Sequence, residues 1–391
     1  MRFVNRVEEL NGLDKLYSSL NSNLVAIYGR RRVGKTELIK RFGMRKNFLY
    51  YLCDESTLSE QTRRFSAIAG AAISDDELLT LGASSFEAIF YRLANAKTEQ
   101  KLVIALDEFP RLVKVEKSMA SVMQRVWDLY LKESKNVMLI LSGSSINMMH
   151  KEVLNYSAPL YGRSSFILKL KPLGFEAVIH MMPEKFEFVD KLYLYFILGG
   201  VPAYYEIIEE SLTGVVKPTI KDAVEVFFKK GSVFTSEPYL LLSEEVKNDD
   251  IYINLLNFLA NGVNKPAELS SKLGIAHQNL SKYLSLLEFI GIVVKEFPVG
   301  VNPNRKSKTG VYRILDNFID FYFKELKKLS SFSTSGEAAL KVYKDIDFIA
   351  SHKFEDFSIE FILLLSKNGM LPFTVSKIGR WWGSNSEKSA G

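Results

Sequence analysis

The sequence holds a single cysteine, Cys53, in 391 residues. That excludes an internal disulfide and a cysteine-rich metal site. Long apolar runs are also missing. The longest uncharged apolar stretch, Leu192 to Tyr205, is interrupted by Gly-Gly and Pro and falls short of the roughly 20 residues that span a bilayer. The N-terminal MRFVNRVEEL has no apolar core of a signal peptide. Neither sign of charge dominates: 51 Lys and Arg against 45 Asp and Glu leave +6, a weak match to a polyanionic partner. These absences set aside secreted disulfide scaffolds and membrane-spanning proteins. They predict a cytoplasmic chain with no membrane partner.

What is present is an ordinary globular composition, 47% hydrophobic and 25% charged, with enough chain for two or three domains. Four short apolar runs, Leu24–Tyr28, Asn47–Leu52, Lys101–Asp107 and Val137–Gly143, read as buried strands. Helical spacing lies between them, notably over 86–97 and 119–134, and a helix is expected within 1–22. Such alternation predicts an α/β fold, a parallel sheet with helices on both faces. After about Arg163 the pattern becomes mostly helical through 245. Residues 250–315 then read as helix, short helix, helix and β-hairpin, and the serine-rich Leu329–Glu337 reads as a linker. No internal repeat is visible.

The strongest motif is GRRRVGKT, in which Gly29, Gly34, Lys35 and Thr36 complete the G-x4-G-K-[ST] pattern. It follows an apolar strand and opens a helical run. The glycines let backbone amides wrap a phosphate at a helix N-terminus. Lys35 supplies charge to the β- and γ-phosphates, and the Thr36 hydroxyl is placed to hold Mg²⁺. The expected nucleotide contacts are therefore Gly29, Arg32, Val33, Gly34, Lys35, Thr36 and Glu37. Backbone amides carry most of that binding, so Arg30, Arg31 and Arg32 read first as solvated or ion-paired side chains. A contact to phosphate or to a neighbouring carboxylate comes second, and a nucleic-acid patch last.

The partner motif is KLVIALDEFPRL, which carries Asp107 to the C-terminal end of a strand, where ligands sit in open α/β sheets. Asp107 is expected to hold Mg²⁺ and Glu108 to activate the attacking water. In LILSGSS, Ser142 is the candidate that senses the γ-phosphate, although serines are also ordinary turn formers. In APLYGRSS, Arg163 is a candidate for the γ-phosphate, from its own chain or a neighbour, or else an ordinary ion-paired arginine.

The stretches FVNRVEEL, YGRRRVGKTELI, ALDEFPRL, LSGSS, APLYGRSS and LGGVPAYY resemble, in this order, the archaeal ATPase family of AAA-like, STAND-related P-loop proteins. The resemblance implies an ATPase core over 1–165, a helical lid over 166–245, a winged helix over 246–325, and ATP with Mg²⁺ as cofactors. It also implies that Arg6 lies near the adenine. The tail, 330–391, is similar to the start of the PD-(D/E)XK nuclease-like domain that often ends the family, with Glu355 at the early acidic position. The further carboxylates and lysine that two-metal cleavage needs are absent after RWWG, so no nuclease activity is expected. Trp381 and Trp382 read as packing residues.

The third helix of the 250–315 group turns Leu280, Leu284 and Leu287 inward. Gln278, Asn279, Ser281, Lys282 and Ser285 then face outward, a polar surface suited to a major groove. Arg305, Lys306 and Lys308 on the hairpin tip are candidates to clamp phosphates of double-stranded DNA. Helix-turn-helix shapes also dock proteins. Three readings follow: an ATP-hydrolysing switch coupled to DNA, a DNA-binding module in which nucleotide is only structural, and a nucleotide-gated protein-interaction switch, as a homo-oligomer or with a protein partner.

Overall fold

The computed structural model describes residues 3–246, 249–300, 310–329 and 334–382. The chain divides into two compact units, Met1–Pro172 and Leu173–Gly391.

The first unit is built on five strands: β1 (Asn23–Tyr28), β2 (Asn47–Leu52), β3 (Leu102–Asp107), β4 (Val137–Gly143) and β5 (Phe166–Lys169). They lie in the order β2-β3-β4-β1-β5, every pair parallel. β3 and β4 are buried along their whole length, as strands covered on both faces must be. Alternate residues feed two cores. Leu24, Ala26, Ile104, Leu106, Leu139 and Leu141 pack with helix α3 (Leu58–Ile73) and the helices that follow it. Val25, Ile27, Val103, Ala105, Met138 and Ile140 pack on the other face with Leu13 of α1 (Val7–Tyr17) and Leu38, Ile39 and Phe42 of α2 (Lys35–Gly43). The chain leaves β1 for β2 at the far edge and returns through β3 and β4. The C-terminal end of β1 is thus a switch point, where such sheets leave a crevice.

β5 corrects the expected boundary at 165. Its four residues are too few, and too mixed in polarity, to stand out as a strand, yet Phe166 to Lys169 pair with Val25 to Tyr28. Two helices also differ from expectation. The first is shorter, Val7–Tyr17, and the stretch 119–134 is broken by a π-helical turn at Trp127–Leu131.

The second unit is mainly helical. Phe188–Leu198, Pro202–Ser211, Ile220–Phe228 and Glu237–Glu245 come first, with an aromatic cluster of Tyr204, Phe227, Phe234 and Phe318. Helices Asp250–Ala260, Pro266–Leu273 and His277–Phe289 then lead into the antiparallel pair β6 (Val293–Glu296) and β7 (Val311–Ile314), the order read from sequence. Pro266 opens its helix and Gly274 closes it, as local chemistry favours. A helical segment from Asn317 to Leu329 and helices Ser335–Lys344 and Ile346–Lys367 complete the unit. Of the serine-rich stretch, residues 330–333 lie outside the described residues; Thr334 caps the helix from Ser335, accepting from the Glu337 amide at 3.2 Å.

Candidate functional site

Two glycines shape the loop after β1. A Cβ on Gly29 would meet the Leu170 carbonyl oxygen at 2.3 Å, so nothing larger fits there. Gly34 has φ 94, in the left-handed region that glycine adopts without cost, and turns the chain into α2. Arg32, between them, also takes a left-handed conformation, at φ 68. Lys35 is buried, and its ammonium donates to the Gly29 carbonyl at 2.8 Å and the Arg30 carbonyl at 3.1 Å. The ammonium therefore lies over the hollow of the loop rather than out in solvent.

β3 brings the second half of the site. Asp107 is fully buried on the α2 face of the sheet, and its Oδ2 accepts from the Thr36 hydroxyl at 2.6 Å. The two motifs, 71 residues apart in sequence, are thus joined by one short hydrogen bond. The same oxygen accepts from the Tyr50 hydroxyl on β2 at 3.0 Å, and Oδ1 takes the Glu108 amide at 3.1 Å. Burial, and then the Asp107 carboxylate, push the Tyr50 phenol well above its ordinary value, so it stays a neutral donor. Glu108 follows in the left-handed region at φ 54, a strained backbone for a residue of its type. Its carboxylate accepts from the Ser144 amide at 3.2 Å and the Ser144 hydroxyl at 2.8 Å.

Ser142 sits on β4, between β1 and β3, opposite Ile27. Two residues along from Ile140, it turns to the same face as α2. The residue is fully buried and its hydroxyl has no hydrogen-bond partner. A buried unpartnered hydroxyl costs about 1–3 kcal/mol and asks for a polar ligand. Thr36 and Asp107 are hard oxygen donors of the kind magnesium takes, the rest of its shell coming from phosphate and water. The residues present fit a nucleoside triphosphate with magnesium.

Other expected residues lie elsewhere. Arg6 is beside the loop and buried, but its guanidinium donates to the Val33 carbonyl at 3.2 Å and the Lys171 carbonyl at 2.7 Å, and pairs with Glu9. It ties the back of the loop to the chain after β5 instead of presenting donors to a base. Arg163 is at the opposite end of the sheet. Its neighbour Ser165 bonds the Leu24 carbonyl at the start of β1, roughly 13 Å of strand from the loop. Its guanidinium holds Asp128 at 2.7 Å and the Pro159 and Tyr161 carbonyls. Contact with the phosphates of its own chain is ruled out by that placement. Tyr50 was not legible as a site residue, since NFLYYL shows only an apolar strand. The usable signal was its position two residues before the end of a strand bordering Asp107.

In the second unit, Leu280, Leu284 and Leu287 are buried and Gln278, Asn279, Ser281, Lys282 and Ser285 are exposed, as the helical pattern requires. Arg305, Lys306 and Lys308 lie outside the described residues. Arg313 on β7 pairs with Glu296 at 2.6 Å and Asp356 at 2.9 Å, and Arg380 holds Asp356 and Glu355. Arg313 is therefore committed to carboxylates, and the tail's Glu355 to the Arg380 guanidinium. Trp381 is 76% exposed, which corrects its reading as a packing residue. Among the described residues no helix is long and apolar enough to cross a membrane.

A parallel sheet with a glycine-lysine-threonine loop after its first strand, an acidic pair at the end of a nearby strand and a buried serine between them defines a P-loop nucleotide-binding protein. The sequence pattern of a family described as an ATPase domain predominantly from Archaea matches residues 3–207, and the chain belongs to that family. A second family, of archaeal and bacterial proteins of unknown function, matches residues 318–389. An uncharacterized protein of Methanocaldococcus jannaschii is 32% identical over 381 residues, covering 97% of this chain and 82% of the relative. An uncharacterized ATP-binding protein of the same organism is 58% identical over 40 residues, 10% of this chain and 68% of that protein. Among solved structures, a Walker-type ATPase of Pyrococcus abyssi superposes with a TM-score of 0.63 at 19% identity, covering 82% of this chain and 96% of its own.

Proposed function

We propose that the protein is a magnesium-dependent ATP-hydrolysing switch. The observation that carries this is the 2.6 Å bond from Thr36 to Asp107, which brings loop and acidic strand together beside the unpartnered hydroxyl of Ser142. Lys35 and the loop amides would bind the β- and γ-phosphates, Thr36 and Asp107 would hold the metal, and Tyr50 keeps the carboxylate aimed. A bound magnesium ion supplies neutralisation of the phosphate oxygens. Glu108 is the general base: it must leave Ser144 to take a proton from water, which makes hydrolysis slow in the resting arrangement. Ser142 donates toward the terminal phosphate. Arg163 would act on the nucleotide of a second copy.

The function also extends to the second unit. Helix His277–Phe289 with β6 and β7 is proposed as a winged helix for double-stranded DNA, with Gln278, Asn279 and Lys282 toward bases and Arg305, Lys306 and Lys308 toward phosphates. The engagement of Arg313 by Glu296 and Asp356 favours, as a second reading, a protein-docking surface. Calorimetry with ATP and magnesium tests the first claim: one nucleotide per chain is expected, and Lys35→Ala should abolish it. Failure of folded protein to bind overturns it. Salt titration of duplex affinity, with and without ATP, tests the second. Duplex binding that ignores ATP favours a DNA module with structural nucleotide, and no duplex binding favours protein docking.

A further inference from the structure

Within the first unit, the segments that lead into β1, β2, β3 and β4, residues 14–22, 43–46, 96–101 and 132–136, carry seven basic residues against three acidic ones. That surplus of four is most of the chain's +6. The segments meet at the end of the sheet away from the phosphate loop, where they line an open cleft of about 710 Å³. Asn47, Leu102 and Val137 stand abreast at the starts of β2, β3 and β4. Arg45 and Lys135 each lie two residues before those starts and Lys101 lies one before, so the three occupy neighbouring strand entries. Adjacent strands are about 4.8 Å apart, which spaces the row over roughly 10 Å.

Among the described residues none of the three has a carboxylate partner. Lys101 is buried, and its ammonium donates to the Ser19 carbonyl at 2.6 Å and the Asn21 carbonyl at 2.8 Å. Those contacts hold the charge without neutralising it. Arg45 and Lys135 are exposed and pair with nothing among the described residues. Asp14, the carboxylate of the lining, is taken by Lys46 at 3.0 Å. Arg45 and Lys135 also hold backbone conformations that disfavour a side chain. Their φ values are 65 and 58, in the left-handed region that helix ends ordinarily give to glycine or asparagine. Each closely follows a helix, Lys35–Gly43 or Lys132–Ser134. A cation kept at such a position, unpaired within its own chain, points to a partner outside it.

We propose that this cleft docks the sugar-phosphate backbone of a nucleic acid, Arg45 and Lys135 reaching phosphates and Lys101 supplying positive potential from the floor. A row of fixed charge suits a ligand whose own charges repeat along a line more than it suits one small anion. Each strand of a duplex carries a charge about every 3.4 Å of its axis, so the row matches about three phosphates. Gln100, also in the lining, adds a neutral donor for phosphate or sugar oxygens. Contacts of this kind position a duplex and read no sequence. The argument is independent of the nucleotide site and of the surface proposed in the second unit.

Fluorescence anisotropy of the full chain with two labelled duplexes of unrelated sequence, over about 50 to 200 mM salt, tests the proposal. Arg45→Gly combined with Lys135→Gly removes two cations and relieves the left-handed backbone. Affinity for both duplexes should fall at least about tenfold, and the slope of log affinity against log salt should become shallower by about 2. The thermal midpoint should stay the same or rise, because glycine fits both positions. Lys114→Gln combined with Lys151→Gln removes the same charge from the helical segments that follow β3 and β4, and should leave the slope unchanged. Absence of duplex binding, an unchanged slope in the glycine variant, an equal loss in the glutamine variant, or a lowered thermal midpoint overturns the proposal. So does poly-glutamate binding that the glycine variant loses while duplex binding stands, which would make the cleft a dock for an acidic protein.

Discussion

Tyr50→Phe isolates one hydrogen bond at the centre of the site. The hydroxyl donates at 3.0 Å to Asp107, a fully buried carboxylate. A hydrogen bond to a charged group contributes about 1.5–3 kcal/mol, against about 0.5–1.5 for a neutral one. Asp107 keeps two other donors, the Thr36 hydroxyl and the Glu108 amide, so the lower end applies and about 1.5 kcal/mol is expected. With a urea slope near 2 kcal/mol per molar, the unfolding midpoint should fall by about 0.75 M. The assay can be confined to the first unit. Of the three tryptophans, only Trp127 lies there, so in a background of Trp381→Phe and Trp382→Phe its fluorescence reports on that unit alone. Tyr51→Phe is the internal comparison, because that hydroxyl donates to a neutral carbonyl, Gln61, at 3.2 Å. It should cost less. A Tyr50→Phe midpoint within about 0.2 M of the parent, or a larger loss in Tyr51→Phe, would refute the claim that Tyr50 holds the carboxylate.

Three further outcomes are expected. Glu108→Gln keeps the Ser144 contacts and ATP binding but lowers turnover by at least about 100-fold, read from phosphate release; equal turnover removes Glu108 as base. Ser142→Ala deletes a hydroxyl that has no partner, so stability in denaturant should be unchanged or higher by up to about 1–2 kcal/mol while ATP turnover falls. A clear loss of stability would mean that the hydroxyl has a structural bond. The third concerns pH. His352 has a folded pKa below its unfolded value, so the folded state binds the proton less well. Its contribution is present above about pH 6.5 and lost as pH falls below it. The thermal midpoint of the second unit should drop between pH 7.5 and 5.5, and less so in His352→Gln.

The sequence by itself determined the phosphate loop, the acidic pair, four of the five core strands and the helix-helix-helix-hairpin order. Each is local: a glycine spacing, an apolar run, or a leucine stripe states its role within a dozen residues. The tertiary structure alone decided β5, whose pattern is too weak to read until it pairs with β1. It also decided that Tyr50 reaches Asp107, that Ser144 holds Glu108, that Arg6 braces the loop, and that Arg163 lies at the far end of the sheet. All of these depend on which strands become neighbours and in what register. That choice is made by packing two apolar faces at once, and no local stretch of chain records it. Lys353 shows the same limit, since nothing in HKFEDF announces a lysine buried beside Asp320, 33 residues away and one helix across.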